Sequence, residues 1–303
     1  MYIGLMLNNN TLISKESKLL LNTIILTAQY FSKSITKISD IPTTGLPGDL
    51  QREIALPYMI LIYGKILTAY RLLNGYSLED LHPKMVGVSN DAYSCYDINR
   101  ALYECFLQAN FIISRYQTDE EKQYIGLWWH IRAFSERSIM AKNRAMQNTK
   151  LDQEAKDIET YKSLIETSYS LLRTKDVQQF GPEKKKSEWP AWPKAGNLNQ
   201  MAGIHNTHHK HFYKKNSLYA HSEPFALMQL GTHHKLGRDD LDGNILSHGT
   251  ELIYLSVLSL KSFSLIFKSI EELFENDADL QSMYVGAKRA FGEELTRKKN
   301  TED

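Results

Sequence analysis

The chain has 303 residues, of which 42% are hydrophobic and 23% are charged. These proportions are those of an ordinary globular protein and exclude a disordered or fibrous one. The formal net charge of +1 excludes a strong overall field that would draw the whole chain to nucleic acid or to a membrane surface, so any such attraction must come from a local patch.

Apolar residues recur at every third or fourth position along most of the chain, and only 8 prolines and 16 glycines interrupt them. This spacing predicts an all-α fold, a bundle of about eight helices in a single domain over residues 1–303. The clearest helices are predicted, in chain order, over residues 16–36, 50–73, from 97 and from 118 onwards, and over 151–178, 245–274 and 278–297.

Two of these helices have distinctive sequences. The helix after Thr118 opens with Thr-Asp-Glu-Glu, which is typical of an N-terminus because the carboxylates face the positive end of the helix dipole. In the helix over residues 245–274 the apolar residues nearly encircle the axis, so we expect it in the middle of the bundle. Residues 179–203 contain three prolines and two tryptophans and are predicted to form an irregular excursion.

The composition also indicates where the protein works. Cys95 and Cys105 are the only cysteines, too few for a disulfide framework, which fits a reducing compartment. The start, MYIGLMLNNN, lacks the basic and apolar regions of a signal peptide. No apolar run reaches the roughly 18 to 20 residues of a membrane span. We therefore expect a cytoplasmic protein with no membrane partner.

The residues richest in chemistry lie late in the chain. Eight of the ten histidines fall between His205 and His248. Lys215 and Asn216 precede His221, and Lys214 lies two helical turns before His221. An imidazole beside a cation can divide the work of phosphodiester cleavage. His221 would act as general base or acid on a ribose 2′-hydroxyl, lysine would stabilise the charge on the phosphate oxygens, and Asn216 would orient the phosphate.

A second polar pair precedes this region. Arg100 and Glu104 are four residues apart in DINRALYECFL and share one face of a helix whose other residues are mostly apolar. The pair is either a solvated surface pair or is drawn inward, where each charge needs a partner to offset desolvation.

The helix with RALYE, followed later by SLYAH from Ser217 to His221, resembles the HEPN superfamily of helical bundles. Many members are metal-independent ribonucleases that act as toxins or antiphage effectors, usually as dimers. The resemblance implies an RNA endonuclease without cofactors that forms a homodimer, with His221, Lys215 and Asn216 as catalytic residues and Arg100, Glu104 and Ser217 in support. This chain departs from the superfamily pattern because Lys215 stands where an arginine is usual, and lysine cannot contact a phosphate with two parallel hydrogen bonds.

The irregular excursion offers an RNA-binding surface. Trp189 and Trp192 could stack on unpaired bases while neighbouring lysines contact phosphates. The alternative is that the two indoles fold the excursion onto the bundle. The lysines assigned to RNA binding are Lys184, Lys185, Lys186 and Lys214.

Two further functions stay open. The spacing of His205 and His209, and of His208 and His211, lets imidazoles share a Zn²⁺ or Ni²⁺ ion on one helix face, with a carboxylate from Asp239, Asp240 or Asp242, as in a metal-dependent hydrolase. No established metal motif accompanies them. The other alternative is a non-catalytic helical module that binds a protein or a nucleotide, in which the same polar cluster is structural.

Overall fold

The computed structural model describes residues 14–39, 49–74, 76–77, 88–89, 92–143, 149–183, 186–220 and 241–292. The all-α class is confirmed, but the described residues form eleven helices where about eight were predicted. These are α1 Lys15–Ser39, α2 Asp49–Asn74, α3 Ala92–Ser114, α4 Asp119–Asn143, α5 Thr149–Ser168, α6 Ser170–Phe180, α7 Ala195–Met201, α8 Asn206–Ala220, α9 Leu241–Phe263, α10 Lys268–Asn276 and α11 Ala278–Gly292.

Four very short strands form two antiparallel pairs. β1 (Tyr76–Ser77) pairs with β2 (Val88–Ser89). In the segment predicted to be irregular, β3 (Pro182–Glu183) pairs with β4 (Lys186–Pro190) and α7 follows. This excursion therefore has regular structure that its prolines did not predict.

Two predicted helices are each divided in the structure, and this accounts for part of the larger count. The helix predicted over residues 151–178 bends at Tyr169, whose hydroxyl donates a hydrogen bond to Gln123 Oε1 in α4 at 2.6 Å. The helix predicted over residues 245–274 ends at Phe263. There the Ser264 hydroxyl donates to the Lys261 carbonyl at 2.7 Å, and Phe267 is extended. A serine hydroxyl that bonds to the backbone of the preceding turn in this way competes with continued helix.

The N-terminus of α4 has the predicted capping arrangement. The backbone N–H of Glu121 donates to the Thr118 hydroxyl at 3.2 Å, and the Glu121 carboxylate accepts from the N–H groups of Gln117 and Thr118. Burial by itself would raise the pKa of Glu121, but these bonds together hold that pKa below its ordinary value. The Thr118 pattern thus predicted this helix start correctly.

The predicted central helix is confirmed in α9. It packs against α1, α2, α3, α10 and α11, and its apolar side chains belong to one continuous core cluster. α3 lies beside it and also packs against α2, α7 and α8. α3 therefore packs against both α8 and α9, and the polar residues described next join these three helices.

Candidate functional site

α8 carries more of the residues that the sequence assigned to chemistry than any other helix. Phe212 and Asn216 are buried on its inner side, while His211 and Lys214 are exposed. His221 comes directly after the end of α8 and lies outside the described residues, as do Lys184 and Lys185. Lys186 belongs to β4, but its side chain is not described.

Arg100 and Glu104 form a closed triangle with Tyr213 of α8. Arg100 Nε lies 3.2 Å from Glu104 Oε1, Arg100 Nη2 donates to the Tyr213 hydroxyl at 3.2 Å, and that hydroxyl donates to Glu104 Oε1 at 3.1 Å. Burial opposes charge on Arg100, but the bonds and attraction to Tyr213 and Glu104 raise its pKa above the ordinary value. The pair is half-buried and joins α3 to α8.

A second polar group joins all three helices. Lys215 Nζ of α8 lies 3.2 Å from Glu251 Oε1 of α9. The Asn99 amide of α3 donates to Glu251 Oε2 at 3.1 Å and to the His248 carbonyl at 3.3 Å. Lys215 Nζ also lies 5.4 Å from the centre of the Tyr96 ring. We call Tyr96, Asn99, Lys215, His248 and Glu251 the three-helix cluster.

His248 is the most strongly perturbed group of this cluster. Its side chain is buried and its ring meets the edge of Tyr96 with centroids 4.3 Å apart. Burial, with a smaller contribution from the charge of Lys215, lowers the pKa of His248 from 6.5 to about 4. The imidazole is therefore neutral at pH 7.

Several buried polar atoms in and beside this cluster have no hydrogen-bond partner among the described residues. They are Asn99 Oδ1, Asn216 Oδ1, Ser217 Oγ and His248 Nδ1. Buried polar groups normally have partners, and these four atoms are shielded from solvent in this arrangement. Asn216 is fully buried, and its amide donates to the Phe212 carbonyl at 2.8 Å. It therefore packs in the interior and cannot touch a phosphate in this arrangement.

A cavity of about 360 Å³ adjoins the cluster between α8, α9 and α11. Glu251 lines the cavity and also binds Lys215, so the ion pair forms part of its wall. The other lining residues are His208, His211, Phe212, Leu246, Ser247, Thr250, Tyr254, Ala290 and Phe291.

The histidines at the start of α8 do not converge. His209 Nδ1 lies 2.8 Å from the Tyr103 hydroxyl, and burial lowers the pKa of His209. His205 Nδ1 accepts from the Thr207 N–H at 3.3 Å. Within the described ranges, no three histidine, cysteine, aspartate or glutamate side chains are grouped to hold a metal ion. Asp239 and Asp240 lie outside those ranges, and the side chain of Asp242 is not described.

The two tryptophans of the excursion contact the bundle. Trp189 is buried, with the Arg173 guanidinium 5.8 Å from its ring centre. Trp192 Nε1 donates to Gln108 Oε1 at 2.7 Å, and its ring packs against Trp128. These contacts match the alternative in which the indoles fold the excursion onto the bundle, and base stacking on them stays a prediction.

Sequence reasoning did not select Tyr96, Asn99, Tyr213 or Glu251. The sequence does contain one indication of Glu251. His248 and Glu251 are polar residues three positions apart in a helix whose other residues are apolar nearly all round. Such a spacing places two polar groups on one face, and a buried polar face in a central helix needs partners from its neighbours.

A family model described as a family of unknown function, DUF5677, matches residues 88–240. The chain belongs to this family. The matched residues include Arg100, Glu104, Lys215 and Asn216, whereas His248 and Glu251 follow the match. Comparison with curated proteins and with solved structures gave no match.

Among the described helices, none is both long and apolar enough to cross a membrane.

Proposed function

We propose that this protein binds RNA and cleaves it without a metal ion, as a HEPN-like endonuclease. The observation that supports this most is the meeting of α3, α8 and α9. There Lys215 and Glu251 form an ion pair beside a cavity with two imidazoles in its wall, and Arg100 links two of the same helices through Tyr213. The chain segment that follows α8 begins with His221. Cations, a carboxylate and a nearby histidine are the groups that phosphodiester cleavage uses.

In this proposal His221 takes the proton of a ribose 2′-hydroxyl, whose oxygen forms a bond to the adjacent phosphorus as the bond from phosphorus to the 5′-oxygen breaks, and the leaving 5′-oxygen takes up a proton from solvent. Lys215 stabilises the negative charge on the phosphate oxygens. To do so it exchanges its bond to Glu251 for one to phosphate, and about a quarter of the lysine side chain is already exposed. Asn216 is a positioning residue here, since its buried side chain fixes α8.

The cavity supports the binding of a nucleobase. Phe212, Tyr254 and Phe291 supply aromatic surface, and His208 and His211 supply hydrogen-bonding groups. Unpaired RNA bases bind proteins by stacking on such rings and by hydrogen bonds at their edges. A base held there would place its phosphate near the Lys215–Glu251 pair.

The biological setting follows from the HEPN resemblance. We infer a cytoplasmic homodimer that acts as a toxin or antiphage effector, because ribonucleases of that superfamily usually bring two sites together across a two-fold axis. The surface lysines, Lys214 among them, would contact the RNA backbone.

The test is cleavage of mixed single-stranded RNA by the full chain in EDTA. His221→Ala should lower the rate by about 10² to 10⁴ with an intact fold, because the general base is lost. Lys215→Arg should keep or raise the rate, since a guanidinium can serve the same phosphate. Lys156→Gln removes an exposed lysine from α5, which carries none of the residues assigned to the site, and is the matched control for charge. Cleavage that survives His221→Ala would reject the mechanism, and cleavage that stops on chelation would favour a metal-dependent hydrolase.

A non-catalytic binding module is the second candidate, and one observation favours it. Asn216 is fully buried and Lys215 is paired with Glu251, as expected if these polar residues only hold the helices together. In that case the wild-type protein binds a protein or a nucleotide and does not cleave RNA. Filter binding alongside the cleavage assay separates the two functions.

A further inference from the structure

A second cavity, of about 350 Å³, lies between α3, α9, α11 and the loop after α7. Most of its wall is apolar and includes Phe106, Ile204, Leu258 and Phe291. Its volume lies in the range of about 300 to 1,000 Å³ that is usual for small-molecule sites. The cavity does not involve the three-helix cluster, and Phe291 is the only residue that the linings of the two described cavities share.

Two lysines line this apolar cavity, Lys261 from α9 and Lys288 from α11. In the part of the chain that the structure describes, neither has a carboxylate within ion-pair distance. The Lys261 ammonium lies 4.9 Å from the Phe274 ring centre and 6.0 Å from that of Tyr284. Lys261 is half-buried and Lys288 is exposed, so both cations attract an anion at the cavity, and water screens the attraction of Lys261 less than that of Lys288.

One corner of the cavity is polar and ordered. The Asn110 amide donates to the Ser114 hydroxyl at 3.1 Å and to the Ser262 hydroxyl at 3.0 Å, and all three residues line the cavity. A few fixed polar groups within an apolar wall are the usual means by which a pocket orients a ligand.

We propose that this cavity is a binding site for a small organic anion with an apolar body. The anionic head group lies between Lys261 and Lys288, and the body lies against Phe106, Leu258 and Phe291. Charge selects the ligand class, because an apolar pocket alone would bind a neutral molecule equally well.

The experiment compares two fluorescent probes of nearly the same shape on the full chain. Anilinonaphthalene sulfonate is anionic, and phenylnaphthylamine has the same rings without the charge. We expect the wild type to bind the sulfonate more tightly. Lys288→Gln and Lys261→Met should each weaken sulfonate binding by about three- to tenfold, the usual effect of one charge-assisted contact, and leave the neutral probe nearly unchanged.

Two controls locate the effect. Arg289→Gln removes one positive charge from an exposed position of the same helix and should change neither affinity. Ala202→Phe fills the second cavity without touching the cavity beside α8 and should weaken both probes. Circular dichroism checks that each variant is folded.

The proposal would be overturned by equal affinity for the two probes or by no binding of either probe. It would also be overturned if Arg289→Gln lost as much sulfonate binding as Lys288→Gln. Unchanged binding in Ala202→Phe would overturn it too, because the probe would then occupy another site.

Discussion

Lys215 of α8 and Glu251 of α9 form an ion pair with Nζ 3.2 Å from Oε1, and each side chain is about a quarter exposed. The Glu251 carboxylate also accepts a hydrogen bond from Asn99 of α3. The Glu251 carboxylate therefore links three helices. In this structure it is paired with Lys215, the lysine assigned to phosphate binding.

This pair predicts a measurable coupling energy. Lys215→Met, Glu251→Gln and the double variant should give a coupling of about 0.5 to 1 kcal/mol in the free energy of unfolding, because the pair is only partly removed from water. Urea denaturation measures it. Lys214→Met, which alters the exposed neighbour, should show no coupling with Glu251→Gln. Additive effects of the two paired changes would contradict the structural role of this ion pair.

The buried His248 predicts a pH dependence of stability. Its pKa is about 4 in the folded protein and 6.5 as the ordinary value, so below pH 6.5 the unfolded chain takes up a proton that the folded protein does not. The contribution of His248 to the free energy of unfolding is therefore fully present above pH 6.5 and is lost as the pH falls towards 4. This loss of stability amounts to at most about 3 kcal/mol.

The measurement is urea denaturation at several pH values between 7 and about 4. The wild type should lose more stability across this range than His248→Gln, which cannot titrate there. His211→Gln changes an exposed imidazole and should follow the wild type. Parallel profiles for wild type and His248→Gln would contradict this account.

We expect alanine substitutions at Gly126 and Gly64 to have opposite effects on stability. A Cβ at Gly126 of α4 would lie 2.5 Å from Leu50 Cβ of α2, and Leu50 Cβ cannot move without its helix. Gly126→Ala should therefore destabilise the protein by about 1 to 3 kcal/mol. Gly64 lies on an exposed face of α2 with no described atom within 4 Å of such a Cβ. Gly64→Ala should stabilise by about 0.5 to 1 kcal/mol. Thermal unfolding of both variants checks the difference, and equal effects would refute the close approach.

We expect the loss of the Asp176 carboxylate to lower the free energy of unfolding substantially. The buried side chain of this α6 residue accepts bonds from Arg115 Nη2 at 2.7 Å and from the Tyr116 hydroxyl at 2.9 Å. Burial raises its pKa despite the attraction of Arg115. Asp176→Ala should cost about 3 to 5 kcal/mol, because Arg115 and Tyr116 lose their partner. Gln179→Ala removes an exposed bond to the same arginine and should cost well under about 1 kcal/mol. Similar losses in the two variants would contradict a buried network.

The proposed dimer predicts a concentration-dependent mass. Light scattering of the full chain at tens of micromolar should give twice the mass of 34.9 kDa, and a single monomeric species would count against the two-fold arrangement.

The sequence by itself determined the helical class, the start of α4 and the central place of α9. Each depends on residues within about one helical turn of each other: the recurrence of apolar side chains, or the bonds between Thr118 and Glu121. Such local interactions are fixed by sequence spacing. Arg100 and Glu104 were placed on one helix face for the same reason.

Only the tertiary structure decided where the predicted helices are divided and which polar residues meet. The bend at Tyr169 accompanies a bond to Gln123, 46 residues away, and the three-helix cluster joins Asn99 to Glu251 across 152 residues. The sequence selected Lys215 and Asn216 together, but the fold leaves Lys215 partly exposed and buries Asn216 completely. Neighbouring residues on a helix point about 100° apart. Which of Lys215 and Asn216 can contact a ligand is therefore decided by how α8 packs against its neighbours, and not by the order of residues.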